Sequence, residues 1–151
     1  MAQILFCEDD KDSRESLFMD LQKGFPAHAI VASETVRDGL AGVTGIDLNP
    51  RYLDHIAVET IEGRLRDSHA DISKLGIVIT DGLLIDRFAG ANDCILNGWD
   101  LAQVLRNLNY PGKIVYIGLT AIPTGKENLF DERISKWDNL KIIEYVIGQL
   151  K

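Results

Sequence analysis

The hydrophobic positions of this chain fall into two alternating patterns: short continuous apolar runs, and longer segments with apolar residues at every third or fourth position. The runs are rich in β-branched residues, are bounded by glycine or charged residues, and are too short for buried helices. Such runs are typical of strands that are buried on both faces of a parallel sheet. Five strands are predicted in this way: Ile4–Cys7, His28–Ala32, Ile77–Thr80, Lys113–Leu119 and Arg133–Ser135.

The segments after these strands have the spacing of amphipathic helices, with an apolar stripe and a polar face. Asp12 and Glu15 have the spacing of a capping box that opens the first helix, and Gly24 ends it. Further helices are predicted over residues 34–43, 98–108 and 126–132, the last of these with only one or two turns.

A final helix is predicted after Asp138, which serves as its cap. Its predicted apolar face consists of Leu140, Ile143, Ile147 and Leu150, with Val146 beside them. The whole chain therefore alternates strand and helix. This alternation predicts an α/β fold with a parallel sheet, right-handed crossovers and helices on both faces.

Two segments exceed what a minimal domain of this pattern needs. Asn49 and Pro50 form a good helix start, and residues 50–66 are amphipathic within an inserted segment of about residues 44–75. This extra helix covers the sheet or its edge, or else provides a partner-binding or dimerisation surface. Residues 82–97 are predicted to be a long loop, and loops of this length inside a compact domain are often functional.

Composition and charge narrow the classes of protein to consider. The chain has 151 residues, of which 46% are hydrophobic, and this suits a single domain over residues 1–151. Its net charge of −7 disfavours a nucleic-acid surface, which needs clustered lysine and arginine. Cys7 and Cys94 lack metal-binding spacing and are expected to be reduced thiols of a cytoplasmic protein. No membrane span or signal peptide is visible, so no membrane partner is expected.

The polar residues that carry candidate chemistry follow directly after the predicted strands. Glu8 and Asp9 follow the first strand, and Asp81 follows the third. Thr120 stands at the end of the fourth strand and Lys136 at the end of the fifth. Because the carboxyl ends of parallel strands meet at one edge of the sheet, these side chains are expected to converge there.

The expected cluster has a definite chemistry. Three neighbouring carboxylates repel one another unless a cation joins them. Oxygen ligands of this kind suit Mg²⁺, which keeps several waters and completes its shell with a phosphate oxygen. An aspartate such as Asp81 can itself attack a phosphoryl group, and it needs no general base because it is ionised at pH 7. Lys136 and Thr120 would neutralise and bind the oxygens of the transferring group.

Five short motifs, in this order, resemble those of the CheY-like receiver domains of two-component response regulators. They are residues 4–10 followed by Arg14, then residues 77–81, 98–101, 119–121 and 134–136, and they span most of the chain. The resemblance implies a flavodoxin-like, doubly wound sheet of five parallel strands in the order 2-1-3-4-5. It also implies that the helix before strand three is an insertion and that the fourth helix is shortened.

The resemblance further implies a role for each candidate side chain. Asp81 would accept a phosphoryl group from a histidine kinase or a histidine phosphotransfer protein. Thr120 and Lys136 would contact the phosphoryl oxygens. The ligands of Mg²⁺ would be Glu8, Asp9, Asp81 and the backbone carbonyl of Leu83. Output would pass to a downstream protein partner by contact, with no enzymatic activity beyond self-phosphorylation and autodephosphorylation.

Some positions depart from the pattern of that family, and two alternatives stay open. Arg133 stands where the family usually has an aromatic residue, and Trp137 stands where it usually has proline. The first alternative is therefore a receiver-like interaction module that is never phosphorylated. The second is a small phosphatase of the haloacid dehalogenase type, because Asp10-Lys11-Asp12 loosely matches its Asp-x-Asp signature.

Overall fold

The structure is a computed structural model that describes residues 2–48, 58–84 and 96–150. Three features discussed above lie outside these residues: the helix start at Asn49 and Pro50, Cys94, and residues 85–95 of the long loop. Within the described residues, no helix is long and apolar enough to cross a membrane.

The strands form one parallel sheet in the order β2-β1-β3-β4-β5, which confirms the predicted fold class. They are β1 (Gln3–Cys7), β2 (Ala29–Ser33), β3 (Leu75–Thr80), β4 (Lys113–Tyr116) and β5 (Glu132–Arg133). The prediction extended β4 to Leu119, whereas the observed strand ends at Tyr116 because its pairing with both neighbouring strands ends there. Thr80 of β3 and Arg133 of β5 are both in register with Tyr116.

The helices lie between the strands and follow the last one. They are α1 (Lys11–Gly24), α2 (Val36–Thr44), α3 (Val58–Asp67), α4 (Gly98–Asn107) and α5 (Asn139–Leu150). α3 falls within the predicted inserted segment, and it buries Ile61 and Leu65. Between β4 and β5 a single 3₁₀ turn, Glu127–Leu129, stands where a short helix was predicted. The shortened crossover is therefore present in the structure.

The sheet carries a hydrophobic core on each face. Leu17 and Leu21 of α1 pack with Ile142 and Val146 of α5 on one face. On the other face, α2, α3 and α4 pack together over the remaining side chains of β1, β3 and β4. The apolar residues of β1 and β3 are almost wholly buried because helices cover both sides. β1 and β3 therefore provide a rigid base for the residues that directly follow them in the sequence.

Two details of the helix predictions are wrong. Asp10, rather than Asp12, caps α1, since its carboxylate accepts a hydrogen bond of 2.9 Å from the Ser13 amide. The buried face of α5 is also rotated from the prediction. Leu140 is 71% exposed, whereas Ile142 is fully buried. The apolar pattern of α5 is continuous around the helix, and the position of α1 decides which side is covered.

Arg106 of α4 holds the short β5 segment in place. Its guanidinium forms an ion pair of 2.8 Å with Asp131 and donates to the carbonyls of Tyr110 and Gly112 at 2.9 Å each. Asp131 in turn accepts a hydrogen bond of 2.8 Å from the Ile114 amide of β4. These contacts bring the start of β5 against β4, although β5 has only two residues.

Candidate functional site

The register of the two central strands places two acidic residues side by side. Cys7 ends β1 and Thr80 ends β3, and these two residues are paired. The next residues, Glu8 and Asp81, therefore leave the sheet at the same edge. Backbone hydrogen bonds of 2.9 Å hold both, one from the Asp81 amide to the Cys7 carbonyl and one from the Glu8 amide to the Ser33 carbonyl.

Three carboxylates meet at this edge. One oxygen from each of Glu8, Asp9 and Asp81 lies within 4.8 Å of the others. Glu8 is fully buried and Asp81 is 7% exposed, while Asp9 is half-buried. Burial of this much negative charge is unfavourable unless a cation is close by. The carboxylates at the ends of β1 and β3 form a cluster that could hold a metal ion.

Lys136 supplies one such cation. Its Nζ lies 3.0 Å from Glu8 Oε1 and 3.5 Å from Asp81 Oδ2. The segment after β5 carries it there, since the Ile134 amide bonds to the Tyr116 carbonyl at 3.0 Å and the Ile134 side chain is buried. The structure thus brings together residues that are 55 positions apart in sequence.

The electrostatics of the cluster are shaped by burial. Burial raises the pKa of Glu8 from 4.5 to about 8, and the neighbouring Asp81 raises it further while Lys136 opposes the rise. Burial lowers the pKa of Lys136, but the nearby carboxylates of Glu8 and Asp81 outweigh this effect and raise it above its ordinary value. The amine is therefore charged at neutral pH, and the site holds more acid than one lysine balances.

Two backbone contacts orient the acids, and the sequence analysis assigned neither. Arg14 donates a hydrogen bond of 2.9 Å to the Glu8 carbonyl, so the guanidinium supports the segment after β1. The Gly82 amide donates to Asp81 Oδ1 at 2.8 Å. Gly98 closes the other side, because its amide bonds to the Gly82 carbonyl at 2.7 Å and an added Cβ would overlap the Asp81 carbonyl oxygen. In the sequence, the glycine that opens the motif at Gly98 was the available signal of this contact, because glycine lets another backbone segment approach closely.

The remaining predicted residues line a hollow of about 480 Å³ above the acids. Thr120 and Leu83 both border it, and both residues are exposed. Asp9, Asp81 and Lys136 form its floor, and Leu84 and Leu119 complete its wall. Asp10 instead lies at the N-terminal end of α1, where its carboxylate caps the helix.

The residues present fit a divalent cation. Among the described residues, Glu8 Oε1 is paired with Lys136, whereas the buried Glu8 Oε2 has no hydrogen-bond partner. Three converging carboxylates are also the oxygen donors that Mg²⁺ prefers. A buried and unpaired carboxylate oxygen requires an explanation, and a bound ion provides one.

Comparison with known proteins gives structural neighbours only. No protein-family model and no curated protein matches the sequence. The CheY-like response regulator receiver domain protein from Methanospirillum hungatei has a TM-score of 0.63 at 15% identity, over 99% of this chain and 94% of that chain. The receiver domain of the histidine kinase CKI1 from Arabidopsis thaliana, complexed with Mg²⁺, has a TM-score of 0.57 at 12% identity, over 99% and 92%.

A third similar structure is the complex of the histidine kinase ThkA with the response regulator protein TrrA. The matched chain has a TM-score of 0.59 at 17% identity, over 100% of both chains. At sequence identities this low, structural similarity is evidence for the fold alone. Together with the strand order, it shows that this chain has the fold of the CheY-like response regulator receiver domains.

Proposed function

We propose that this chain, as one domain over residues 1–151, is a phosphoacceptor receiver of a two-component or phosphorelay system. The observation that carries this proposal is the Lys136 amine, 3.0 Å from Glu8 and 3.5 Å from Asp81 at the carboxyl edge of the sheet. A structural ion pair needs one acid, whereas here one amine pairs with two of three neighbouring carboxylates, and Asp9, Asp81 and Lys136 line a common hollow. That surplus of acid beside an amine suits a transferring phosphoryl group and its metal.

In the proposed reaction, a carboxylate oxygen of Asp81 attacks the phosphorus of a phosphohistidine. The new O–P bond forms as the P–N bond breaks, and the imidazole leaves and takes a proton from solvent. Lys136 neutralises charge on the phosphoryl oxygens, and the Thr120 hydroxyl donates a hydrogen bond to one of them. The Gly82 amide keeps Asp81 oriented through Oδ1.

Glu8, Asp9 and Asp81 would hold Mg²⁺, with the backbone carbonyl of Leu83 as a further ligand. When bound, the ion supplies positive charge that offsets the repulsion among the three carboxylates and neutralises the transferring group. Oε2 of buried Glu8, which has no hydrogen-bond partner among the described residues, supports this assignment. The likeness to a receiver domain that is complexed with Mg²⁺ is consistent with it.

The phosphoryl donor would be a histidine kinase or a histidine phosphotransfer protein, and the output would pass to a downstream protein in the cytoplasm. Likeness to a chain from a complex of a histidine kinase with a response regulator supports the kinase as a partner. The sequence exceeds a minimal domain over residues 44–75 and 82–97, and these two segments would contact a downstream partner or a second copy of the chain. No nucleic-acid contact is part of this proposal.

Intact-mass measurement after incubation with acetyl phosphate and Mg²⁺ tests the proposal. The wild type should gain one phosphoryl group, and Asp81→Asn should gain none. Asp71→Asn is the matched control, because Asp71 is exposed just before the opposite end of β3, where it accepts a bond from the Ser73 amide. Equal uptake by Asp81→Asn and wild type would reject Asp81 as the acceptor.

A receiver-like interaction module that is never phosphorylated is the second candidate. It would contact another protein through exposed side chains such as Trp137, which directly follows Lys136 and is 71% exposed. Wild-type protein that folds and binds Mg²⁺ yet gains no mass would favour this candidate. The phosphatase alternative has less support, because Asp10 of its Asp-x-Asp signature is engaged as the cap of α1.

A further inference from the structure

Tyr116 lies between the three segments that carry Asp81, Thr120 and Lys136. It is the last residue of β4, and its side chain is fully buried. Its backbone is in register with Thr80, the residue before Asp81, and with Arg133 of β5. The proposed reaction gives Tyr116 no role, so its contacts need a separate explanation.

The hydroxyl of Tyr116 is held in a slot next to the site. It donates a hydrogen bond of 2.5 Å to the Thr120 carbonyl. A Cβ added at Gly82 or at Gly118 would overlap the hydroxyl, so backbone lies against it on both sides. Gly82 is also the residue whose amide orients Asp81. The phenol thus touches the backbone next to the acceptor and the backbone of Thr120 at once.

The ring of Tyr116 is held from the other side by β5. The Arg133 guanidinium lies 5.4 Å from the ring centroid, a cation–π distance. Phe130 packs against the ring edge-on, with the two centroids 5.1 Å apart. Arg133 is three residues before Lys136, so this contact ties the lysine-bearing segment to the same phenol. Burial raises the pKa of Tyr116 above its ordinary value, which keeps the hydroxyl protonated and able to donate.

We infer that Tyr116 is a positioning residue for phosphoryl transfer: its hydroxyl holds the backbone of Thr120 so that the Thr120 side chain borders the hollow above Asp81. Among the described residues, this bond from Tyr116 is the one hydrogen bond made to residues 118–122. Without it, no hydrogen bond from the part of the chain that the structure describes sets the distance between the Thr120 segment and the acceptor. The inference deepens the proposed function and rests on it.

The Tyr116→Phe variant tests this role, because it removes one oxygen and keeps the ring. Phosphoryl uptake from acetyl phosphate, followed by intact mass at saturating Mg²⁺, should slow by about two- to tenfold, the worth of one hydrogen bond. The affinity for Mg²⁺, measured by calorimetry, should stay unchanged, since among the described residues the Tyr116 hydroxyl bonds to a backbone carbonyl and to no carboxylate. The ¹³C shift of the Thr120 carbonyl should change in the unphosphorylated protein.

Tyr110→Phe is the matched control. Tyr110 is a second buried tyrosine, it lies in the turn between α4 and β4, and its hydroxyl has no partner among the described residues. A second pair tests the ring contact: Arg133→Gln should slow uptake and Arg133→Lys should restore it. Wild-type uptake by Tyr116→Phe, or an equal loss in Tyr110→Phe, would overturn the inference. Absence of uptake in the wild type would instead overturn the proposed function, while the carbonyl shift would still report the hydrogen bond.

Discussion

The β1–β3 half of the candidate site and the β4–β5 half are built differently. In the first half, Glu8 and Asp81 are buried and are bonded through their own amides to neighbouring strands. In the second half, Leu119 is 56% exposed and Trp137 is 71% exposed, and β5 has only two residues. Segments with few buried contacts open more easily than a strand core. The acids are thus preorganised, whereas the groups that would meet a phosphoryl group are held by few contacts.

This difference suggests a division of labour between the two halves. The central strands provide a stable acid cluster whose geometry changes little. In the proposed phosphorylated state, Thr120 and Lys136, which follow the outer strands, would adjust to the added charge and carry the change to the surface. Three experiments, in addition to those above, test or sharpen the contrast.

The largest effect is expected from Lys136→Met, which removes the amine that joins the β5 side to the acids. Phosphoryl uptake from acetyl phosphate should fall by about a hundredfold, because one preorganised charge that contacts the transferring group is lost. The rate is measured by intact mass at saturating Mg²⁺. Lys141→Met, at an exposed position of α5, is the control and should keep the wild-type rate. A rate near wild type in Lys136→Met would mean that the two halves act independently.

The next effect concerns the stability of the acid half without metal. The folded protein holds the proton of Glu8 up to a pKa of about 8, whereas the ordinary pKa is 4.5. Between these values the unfolded chain has lost a proton that the folded chain keeps, so stability falls as pH rises. We expect the free energy of unfolding in EDTA to drop by about 2 kcal/mol from pH 6 to pH 8.

Urea unfolding measures this slope, and Glu8→Gln should flatten it because glutamine does not titrate. Glu15→Gln, on the exposed surface of α1, is the control and should keep the wild-type slope. Excess Mg²⁺ should restore stability at pH 8, since a ligand that binds only the folded state stabilises it. The same slope in Glu8→Gln as in the wild type would show that another group titrates.

The smallest effect is expected at the mouth of the hollow. Leu83, two residues after Asp81, is 51% exposed and should hinder water from reaching a phosphorylated Asp81, giving a long-lived phosphoform. Leu83→Asn should speed the loss of the phosphoryl group by about three- to tenfold, measured by intact mass after the donor is removed. Leu140→Asn, at an exposed leucine of α5, should not change it. A wild-type half-time of seconds would contradict this expectation.

The chain's one-dimensional pattern was enough to predict a parallel sheet and the residues that meet at its carboxyl edge, whereas the strand order came from the resemblance to receiver domains. Short β-branched runs that alternate with helices leave few topologies, and a parallel topology brings every strand end to one side. The residues directly after those runs, such as Asp81 and Lys136, must then lie near each other. This inference needs no knowledge of side-chain packing.

Other features depend on contacts between distant segments, and local patterns leave them open. Asp10 and Asp12 are equally good caps by type, and the geometry of the turn after Glu8 selects Asp10. Tyr116 reads as one more apolar strand residue in the sequence. Its contacts with three separate segments are visible only in the folded chain, where Gly82, Gly118 and Arg133 surround it. The direction of a side chain, unlike the period of a strand, is set by neighbours that the chain brings together on folding.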